Sequence, residues 1–429
     1  MATRTTVFPG PRESPIRGRA MPLPPIILGR YGGRPGMTIE GNAALVRRTE
    51  GSTRATLLEL LFDVVFVAAL ALISTLLTEE RTWSGIAKVL LMLTAIWWTW
   101  SLTATTTEFY DPRQRPIQVV LMIAMVGSVG MAVALPMITV GHLLLFVASY
   151  VGTHLSRCII LVVALHRRGH QTARERATRF LFWFTVSGVF WVTGALSNSP
   201  NWALWTIAIT IDLVASAARY PTPRLGQVPL AQYQRITGHL GERYQQFVIL
   251  ALGDIVLLPT LQVSRGGLEF LRVVALLCAF ATMLLLWQIY VFRAGELVAA
   301  AEAKAHRPVR LAPYTHLVLL AGVVATAASF EIVVGHPTGT TPVRWLMLII
   351  GGPALFVLGR VLLALLVSWT VPWRRVAWQL APLLVLPWAG GWPPLLVAAV
   401  ATLALAGHIV VPGSDRETRP GLNARPTDD

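Results

Sequence analysis

The sequence predicts an all-α fold: a polytopic integral membrane bundle of about twelve transmembrane helices. Three observations predict it. Hydrophobic residues make up 54% of the chain and charged residues only 13%, whereas soluble proteins carry about 25% charged residues. Twelve apolar stretches run from Leu57 to Val411, and many approach the roughly 20 residues that a spanning helix needs. The basic residues are concentrated in alternate gaps between these stretches.

The distribution of Lys and Arg predicts the orientation. If the N-terminus is cytoplasmic, the gaps on that side and the two tails hold 29 of the 36 basic residues. Two more, Arg157 and Arg360, lie inside apolar stretches, and the remaining five are Arg81, Lys88, Arg265, Arg272 and Arg344. This positive-inside bias predicts a plasma (inner) membrane protein with both termini in the cytoplasm.

The predicted spans divide the chain into two halves. They are 57–77, 86–105, 117–137, 141–165, 178–197, 202–219, 245–262, 271–292, 315–335, 345–368, 376–390 and 393–411. The last two are short and interrupted by Pro382 and Pro387, so one re-entrant hairpin is an alternative. The predicted organisation is a disordered basic cytoplasmic tail (1–52), a first transmembrane half (53–219), a cytoplasmic connector (220–244), a second half (245–411) and a disordered tail (412–429).

The two halves resemble each other in order. Arg157 in span 4 corresponds to Arg360 in span 10, and the Trp-rich segment 97–100 corresponds to 287–290. These matches favour two parallel six-helix repeats, since an even number of helices preserves orientation. The alternative is chance similarity among Leu- and Val-rich helices.

Composition argues against several function classes. The basic residues behind the net charge of +15 lie mainly in loops and tails, where they fix the topology and contact anionic lipid. We therefore expect no nucleic-acid partner. Cys158 and Cys278 lie in apolar stretches and form neither a disulfide framework nor a metal site. The sequence contains no nucleophile–base pair, metal cluster or phosphate loop. We therefore expect no enzyme activity, no catalytic residue, no metal and no cofactor.

Ionisable residues inside the spans are the candidates for function. A charge at the centre of a spanning helix costs about 2.5–3.5 kcal/mol, so each should face a partner or a water-filled cavity. We expect Arg157 and Arg360 each to pair with a carboxylate from another helix. Glu59 and Asp63 are four apart and share one helix face. They predict either a cation- or proton-linked site, or a salt bridge that fixes span 1 in the bundle.

The segment 239–243, HLGER, stands at the entrance of span 7. The favoured interpretation is helix-entry capping, with Arg243 at the lipid headgroups. Metal binding by His239 and Glu242 is the weaker alternative, because their order is the reverse of Glu-x-x-His. Asp254 follows Gly253, which would let a neighbouring helix approach closely, so that the carboxylate faces protein.

Other polar residues share helical stripes. Tyr150, His154 and Arg157 lie on one face of span 4, where His154 is either a proton relay or a structural histidine. In span 9, His316 lies near the inner end and Glu331 near the outer end. The tryptophans Trp97, Trp98 and Trp100 favour anchoring or packing over ligand stacking.

Three blocks resemble the bacterial low-temperature-requirement A family (LtrA). Residues 59–67, ELLFDVVFV, resemble its ELFFDLVFV block. Residues 239–254 resemble HxxERxxxFVIIALGE, and 314–317 with Glu331 and 336–337 resemble a third block. Asp254-Ile255 departs from the usual Glu-Ser, which shortens the acid and removes a hydroxyl. The resemblance covers roughly residues 50–410 and implies a multi-pass bacterial membrane protein associated with growth at low temperature.

These observations favour a secondary transporter or permease-like protein for a small solute or ion, in which the two buried arginines favour an anionic group. The alternative is a non-transporting membrane protein with a structural or regulatory role at low temperature. The expected partners are the lipid bilayer and this solute or ion. The candidate substrate-binding or ion-coupling residues are Glu59, Asp63, His154, Arg157, Glu242, Arg243, Asp254, His316, Glu331 and Arg360.

Overall fold

The structure is a computed structural model. It describes residues 45–47, 55–80, 82–137, 144–197, 201–233, 238–291, 306–368 and 373–410. Every named regular element within these residues is helical. The helices are α1 (Leu57–Glu79), α2 (Trp83–Phe109), α3 (Arg115–Ala134), α4 (Leu144–Arg167), α5 (Gln171–Leu196), α6 (Trp202–Ala217), α7 (Leu230–Tyr233), α8 (Gly238–Leu252), α9 (Asp254–Gly266), α10 (Phe270–Val291), α11 (His306–Gly335), α12 (Val343–Ser368), α13 (Trp373–Leu380), α14 (Leu386–Ala389) and α15 (Pro394–Val410). A 3₁₀ turn, Ala381–Val385, joins α13 to α14.

Nine helical segments among the described residues, with α8 and α9 counted together as Gly238–Gly266, are long and apolar enough to cross a membrane. The predicted all-helical membrane fold is thus found, whereas the number of twelve spans is not reached. Two of the predicted spans correspond to shorter apolar helices, α6 and α15. The predicted span 376–390 is divided among α13, the 3₁₀ turn and α14. Its prolines explain this division, because each removes a backbone donor inside the stretch.

Span 7 is observed as two helices, α8 and α9, which meet at Gly253. This glycine is exposed, and a Cβ placed on it would meet only the carbonyl oxygen of Leu250 in the adjoining α8, at 3.0 Å. The expectation that Gly253 admits a neighbouring helix is therefore wrong. Asp254 nevertheless faces protein, with only 3% of its surface exposed.

The start of α1 is fixed by a capping box. The side chain of Thr56 accepts a hydrogen bond from the backbone N–H of Glu59, and the Glu59 carboxylate accepts one from the Thr56 N–H at 2.8 Å. This reciprocal pair satisfies backbone donors that the first turn leaves free. It also holds Glu59 at the end of the bundle where α1 begins, α2 ends and α8 begins, which we call the Glu59 end.

Three described residues of the predicted N-terminal tail pack on this end. Val46 and Tyr110 form an isolated antiparallel bridge, and Leu45 is fully buried. The N–H of Arg47 donates to the carbonyl of Phe109 at 3.1 Å. This part of the predicted disordered tail is therefore ordered. Residues 1–44 and the predicted tail 412–429 lie outside the described residues.

Helix α11 lies at the centre of the bundle. In its most apolar window 78% of the residues are buried, against 22% for α10. It packs closely on α12 through glycines: a Cβ on Gly322 would clash with the backbone of Phe356, and one on Gly359 would clash with the backbone of Leu319. Small residues at such contacts let two helix backbones approach each other in a membrane.

The duplication stays a prediction. Arg157 and Arg360 are both buried, with 2% and 6% of their surface exposed. Trp97 is fully buried, however, whereas its counterpart Trp287 is 44% exposed. The two tryptophan segments therefore occupy different environments. Residues that correspond in the sequences of the two halves are not packed in the same way.

Candidate functional site

At the Glu59 end, one guanidinium holds two carboxylates together. Nη1 of Arg243 donates to Oε1 of Glu59 at 2.9 Å, and its Nη2 donates to Oδ1 of Asp63. None of the three side chains has any exposed surface. Arg243 is thus the cation that the like charges on α1 require, and it joins α8 to α1.

This geometry corrects the expected position of Arg243. The sequence indicated a side chain at the lipid headgroups, but Arg243 is completely buried. The reason is the two acids on α1. In a medium of low dielectric they attract the guanidinium of Arg243 more strongly than the lipid headgroups do at the membrane surface. The half-buried neighbour Glu242 lies on another face of α8 and does not take part in the pair.

A second acid–base contact adjoins the first. Nδ1 of His239 lies 3.1 Å from Oε2 of Glu108, and its Nε2 lies 3.5 Å from Oε1 of Glu59. Because the guanidinium of Arg47 only donates and its Nη1 also lies 3.0 Å from Nδ1, this nitrogen can accept from Arg47 or donate to Glu108, but it cannot do both at once. With Arg47 beside the ring, His239 completes a set of three acids and three bases. We call Arg47, Glu59, Asp63, Glu108, His239 and Arg243 the charged network.

Neutral donors complete the coordination of these charges. The indole Nε1 of Trp100 donates to Oδ1 of Asp63 at 2.8 Å, and Nη1 of Arg243 donates to the hydroxyl of Thr107 at 3.2 Å. The ring of Trp97 stacks on that of Trp100 with centroids 4.9 Å apart. Trp97, Trp98 and Trp100 are all fully buried. Of the two favoured interpretations, anchoring and packing, the structure therefore shows packing.

A second polar line crosses the first half of the chain. Nη2 of Arg157 donates to Nδ1 of His154 at 2.8 Å, and the rings of His154 and Tyr150 lie 4.4 Å apart. The hydroxyl of Tyr150 donates to Oδ2 of Asp212 at 2.8 Å. The stripe predicted on α4 is therefore continuous and extends to α6. We call Tyr150, His154, Arg157 and Asp212 the polar line.

The hydrogen bonds of His154 define its tautomer. A guanidinium only donates, so Nδ1 of His154 must accept. Its Nε2 then carries the proton and donates to the hydroxyl of Thr99 at 3.2 Å, which itself donates to the Ala95 carbonyl at 2.9 Å. Protonation of Nδ1 would break the bond to Arg157, so this contact and a charged imidazole exclude each other.

The expected carboxylate partner of Arg157 is not observed. Among the described residues, Arg157 forms no ion pair. Its guanidinium lies against His154, over the ring of Phe184 at 5.4 Å, and 3.5 Å from the hydroxyl of Thr103. The prediction was wrong because the suitable acid, Asp212, is held by Tyr150 and acts on Arg157 only through space.

Asp212 itself is incompletely satisfied. It is 1% exposed, and its Oδ1 has no hydrogen-bond partner among the described residues. Ser187 and Trp191 on α5 face this carboxylate, yet the hydroxyl of Ser187 and the indole nitrogen of Trp191 are also without a partner of ordinary geometry. Buried polar atoms are normally paired, so this gathering is exceptional.

The second half contains a related arrangement. Nδ1 of His316 donates to the carbonyl of Ala312 at 2.9 Å, and its Nε2 accepts from the hydroxyl of Tyr290 at 3.3 Å. Arg360 lies close enough to act electrostatically on both. Arg157 and Arg360 are thus each near a histidine and a tyrosine.

The remaining candidates lie apart from these groups. Glu331 accepts a hydrogen bond from the hydroxyl of Thr78 at 3.1 Å, at the end of α1 opposite Glu59. The ring of His336 lies 5.3 Å from that of Trp345. His316 and Glu331 thus contact different parts of the bundle, in agreement with their predicted places near opposite ends of span 9.

Several residues of the two groups were missing from the sequence-based candidates. Glu108 stands next to the end of a predicted span and Arg47 stands in the predicted tail, where charges are ordinary, and only their distant partners give them a role. Asp212 carried a signal, because it was an acid inside an apolar stretch. Trp100, which lies beside the charged network, was singled out for anchoring or packing, but its role as a donor to an acid 37 residues away has no local pattern.

Comparison with known proteins agrees with the motif assignment. Residues 54–410 match the model of the family described as bacterial low temperature requirement A protein (LtrA). The chain belongs to this family. An uncharacterized protein of Rhizobium meliloti (strain 1021) is 31% identical over 339 residues, which cover 77% of this chain and 82% of the relative. No solved structure matches the chain.

Membership gives the charged network a simple explanation. The first two LtrA blocks supply Glu59, Asp63, His239 and Arg243, and these four residues meet at the Glu59 end. Blocks about 180 residues apart in sequence therefore form one contact. The structure describes this LtrA protein with a closed ionic junction at that end and a less completely paired polar line within the bundle.

Proposed function

We propose that this LtrA protein is a permease of the bacterial inner membrane that moves a small anionic solute or ion. Both termini would be cytoplasmic, so the Glu59 end would face the cytoplasm. The proposal includes no enzyme chemistry and no nucleic-acid partner. The single observation that supports it best is the polar line, in which a buried arginine and a buried aspartate are not paired with each other.

The energetics of the bilayer give this observation its weight. Charged groups inside a membrane bundle normally pair, and those that do not pair mark pathways for ions or protons. Arg157 could meet a transported anion without first breaking an ion pair. Tyr150 and His154 connect it to Asp212, which could take up or release a proton as the anion moves.

The test is uptake into proteoliposomes that contain the full-length protein. Labelled phosphate, sulfate and small carboxylates are offered with and without a pH gradient. We expect uptake that the gradient increases, and we expect Asp212→Asn to abolish that increase, because the amide has nearly the same shape but no charge. Glu79→Gln changes an exposed acid and serves as the control. Uptake by Asp212→Asn at the wild-type rate and with the same gradient dependence would contradict the proposal.

A second candidate function, a non-transporting structural or regulatory role at low temperature, is favoured by the charged network. Glu59, Asp63 and Arg243 are paired and have no exposed surface, as a static junction requires. The same experiment separates the two functions. A folded protein that takes up none of the anions, with or without the gradient, would support this second role.

A further inference from the structure

A recess opens at the Glu59 end between α2, α5, α7 and α11. The space in and in front of it amounts to about 540 Å³, a figure that includes open solvent at its mouth. Two arginines line it, Arg176 on α5 and Arg310 at the start of α11, and its lining includes no aspartate or glutamate. None of these lining residues was among the sequence-based candidates, and none belongs to the charged network or the polar line.

The two guanidinium groups lack acidic partners. Among the described residues neither Arg176 nor Arg310 forms an ion pair. Arg176 is only 8% exposed and is held in place by neutral contacts. Its Nη1 donates to Oε1 of Gln232, its Nη2 donates to the hydroxyl of Tyr110, both at 2.9 Å, and it stacks on the ring of Phe109 at 3.7 Å. Two positive charges thus face one recess without compensation.

Unpaired polar atoms are concentrated in the same lining. They are Nε1 of Trp98, the hydroxyl of Tyr220, Nε2 of Gln232 and Nε of Arg310, each buried without a hydrogen-bond partner in the described parts of the chain. Three of the four are nitrogens that can only donate, and the fourth is a hydroxyl that can donate. Such a set requires acceptor oxygens, so it selects an anion and rejects a cation.

The backbone and the electrostatics agree with this assignment. Tyr220 has a positive φ of 54°, which is a strained conformation for a bulky residue, and such strain persists where the surroundings over-determine it. Burial raises the pKa of the Tyr233 phenol, while the charges of Arg310, Arg176 and Arg219 act in the opposite direction. The positive field of these arginines therefore reaches the α7 side of the recess.

We infer that this recess binds a tetrahedral oxyanion, a phosphate or phosphate ester, between Arg176 and Arg310. Guanidinium groups match the oxygens of phosphate in paired hydrogen bonds, and the indole, amide and phenol groups supply further donors. A free phosphate compound and the headgroup of an anionic lipid share this chemistry. Binding of the oxyanion does not depend on the proposed function. Only the further step, that this anion is the transported solute, rests on it.

The experiment is an equilibrium titration of the full-length protein in a zwitterionic detergent. Inorganic phosphate is the first probe and a short-chain phosphatidylglycerol the second, with the melting temperature and titration calorimetry as readouts. We expect saturable binding of at least one probe. Gln232→Glu places a carboxylate beside Arg176 and should weaken binding at least tenfold. Tyr220→Phe removes only a hydroxyl that lies near Ser216 but has no hydrogen bond of ordinary geometry in the described residues, so it should weaken binding several-fold without lowering the melting temperature of the free protein.

Arg113→Gln is the matched control, because it removes an exposed arginine that does not line the recess. Binding of phosphate, weakened in the first two variants and kept in the control, supports the site and indicates a soluble ligand. The same pattern with the lipid alone supports the site and indicates a headgroup. Equal affinity in all four proteins, or no saturable binding of either probe, would overturn the inference. Because the titration needs no gradient, absence of binding and absence of transport are separate results.

Discussion

Replacing Arg243 by methionine tests whether the charged network stabilises the bundle. The substitution keeps a long side chain but leaves the carboxylates of Glu59 and Asp63 without their guanidinium, at sites with no exposed surface. Removing one partner of a buried ion pair costs about 3–5 kcal/mol. A large domain shifts by about 2 °C for each kcal/mol, so we expect the melting temperature in detergent to fall by about 6–10 °C.

Two further variants make the test specific to charge. Glu242→Gln changes the adjacent, half-buried acid and should leave the melting temperature within about 1 °C, as is usual for changes away from a buried network. The triple variant Arg243→Met/Glu59→Gln/Asp63→Asn removes the guanidinium and both carboxylates. Gln at position 59 can still cap the start of α1. It should recover most of the loss, because neutral replacements of buried ion pairs are often tolerated. Arg243→Met melting with the wild type, or a triple variant no better than the single one, would refute the reasoning.

Two other predictions concern packing and orientation. Gly359→Val should lower the melting temperature strongly, because its side chain would enter the backbone of Leu319 and separate α12 from α11. Gly351→Val on the same helix has nothing within 4 Å of its Cβ and is the matched control; equal melting of both would contradict this packing. Reporter fusions in 168–170 and 292–305 should both read cytoplasmic if the positive-inside bias sets the topology, and a periplasmic signal at either site would break the predicted orientation.

The sequence predicted the helices best where local signals sufficed. Helix α1 is a long apolar stretch, and its existence could be predicted without its partners; its cap at Thr56 is known from the structure. The break at Gly253 was missed because periodicity continues across it. The prolines after α13 did signal an interrupted span, but the form of the interruption depends on tertiary packing.

The burial of several charged residues was predicted better than their contacts. The cost of charge in lipid identified Glu59, Asp63 and Arg157 correctly as buried. It could not identify partners, since Arg243 meets Asp63 across 180 positions of sequence. An arginine at a helix entrance is ordinarily a headgroup anchor, and only the acids on α1 change that preference.

The bundle treats its buried charges in two different ways, and this contrast constrains the mechanism. In the charged network every acid has a basic neighbour, so moving α1 relative to α8 would expose several charges to lipid or protein of low dielectric at once. In the polar line Arg157 and Asp212 are linked through neutral groups, and rearranging Tyr150 or His154 breaks no ion pair. A conformational change that moves α4 against α6 is therefore less costly than one that separates α1 from α8. If the protein moves a solute, the junction at Glu59 should stay closed while the polar line rearranges.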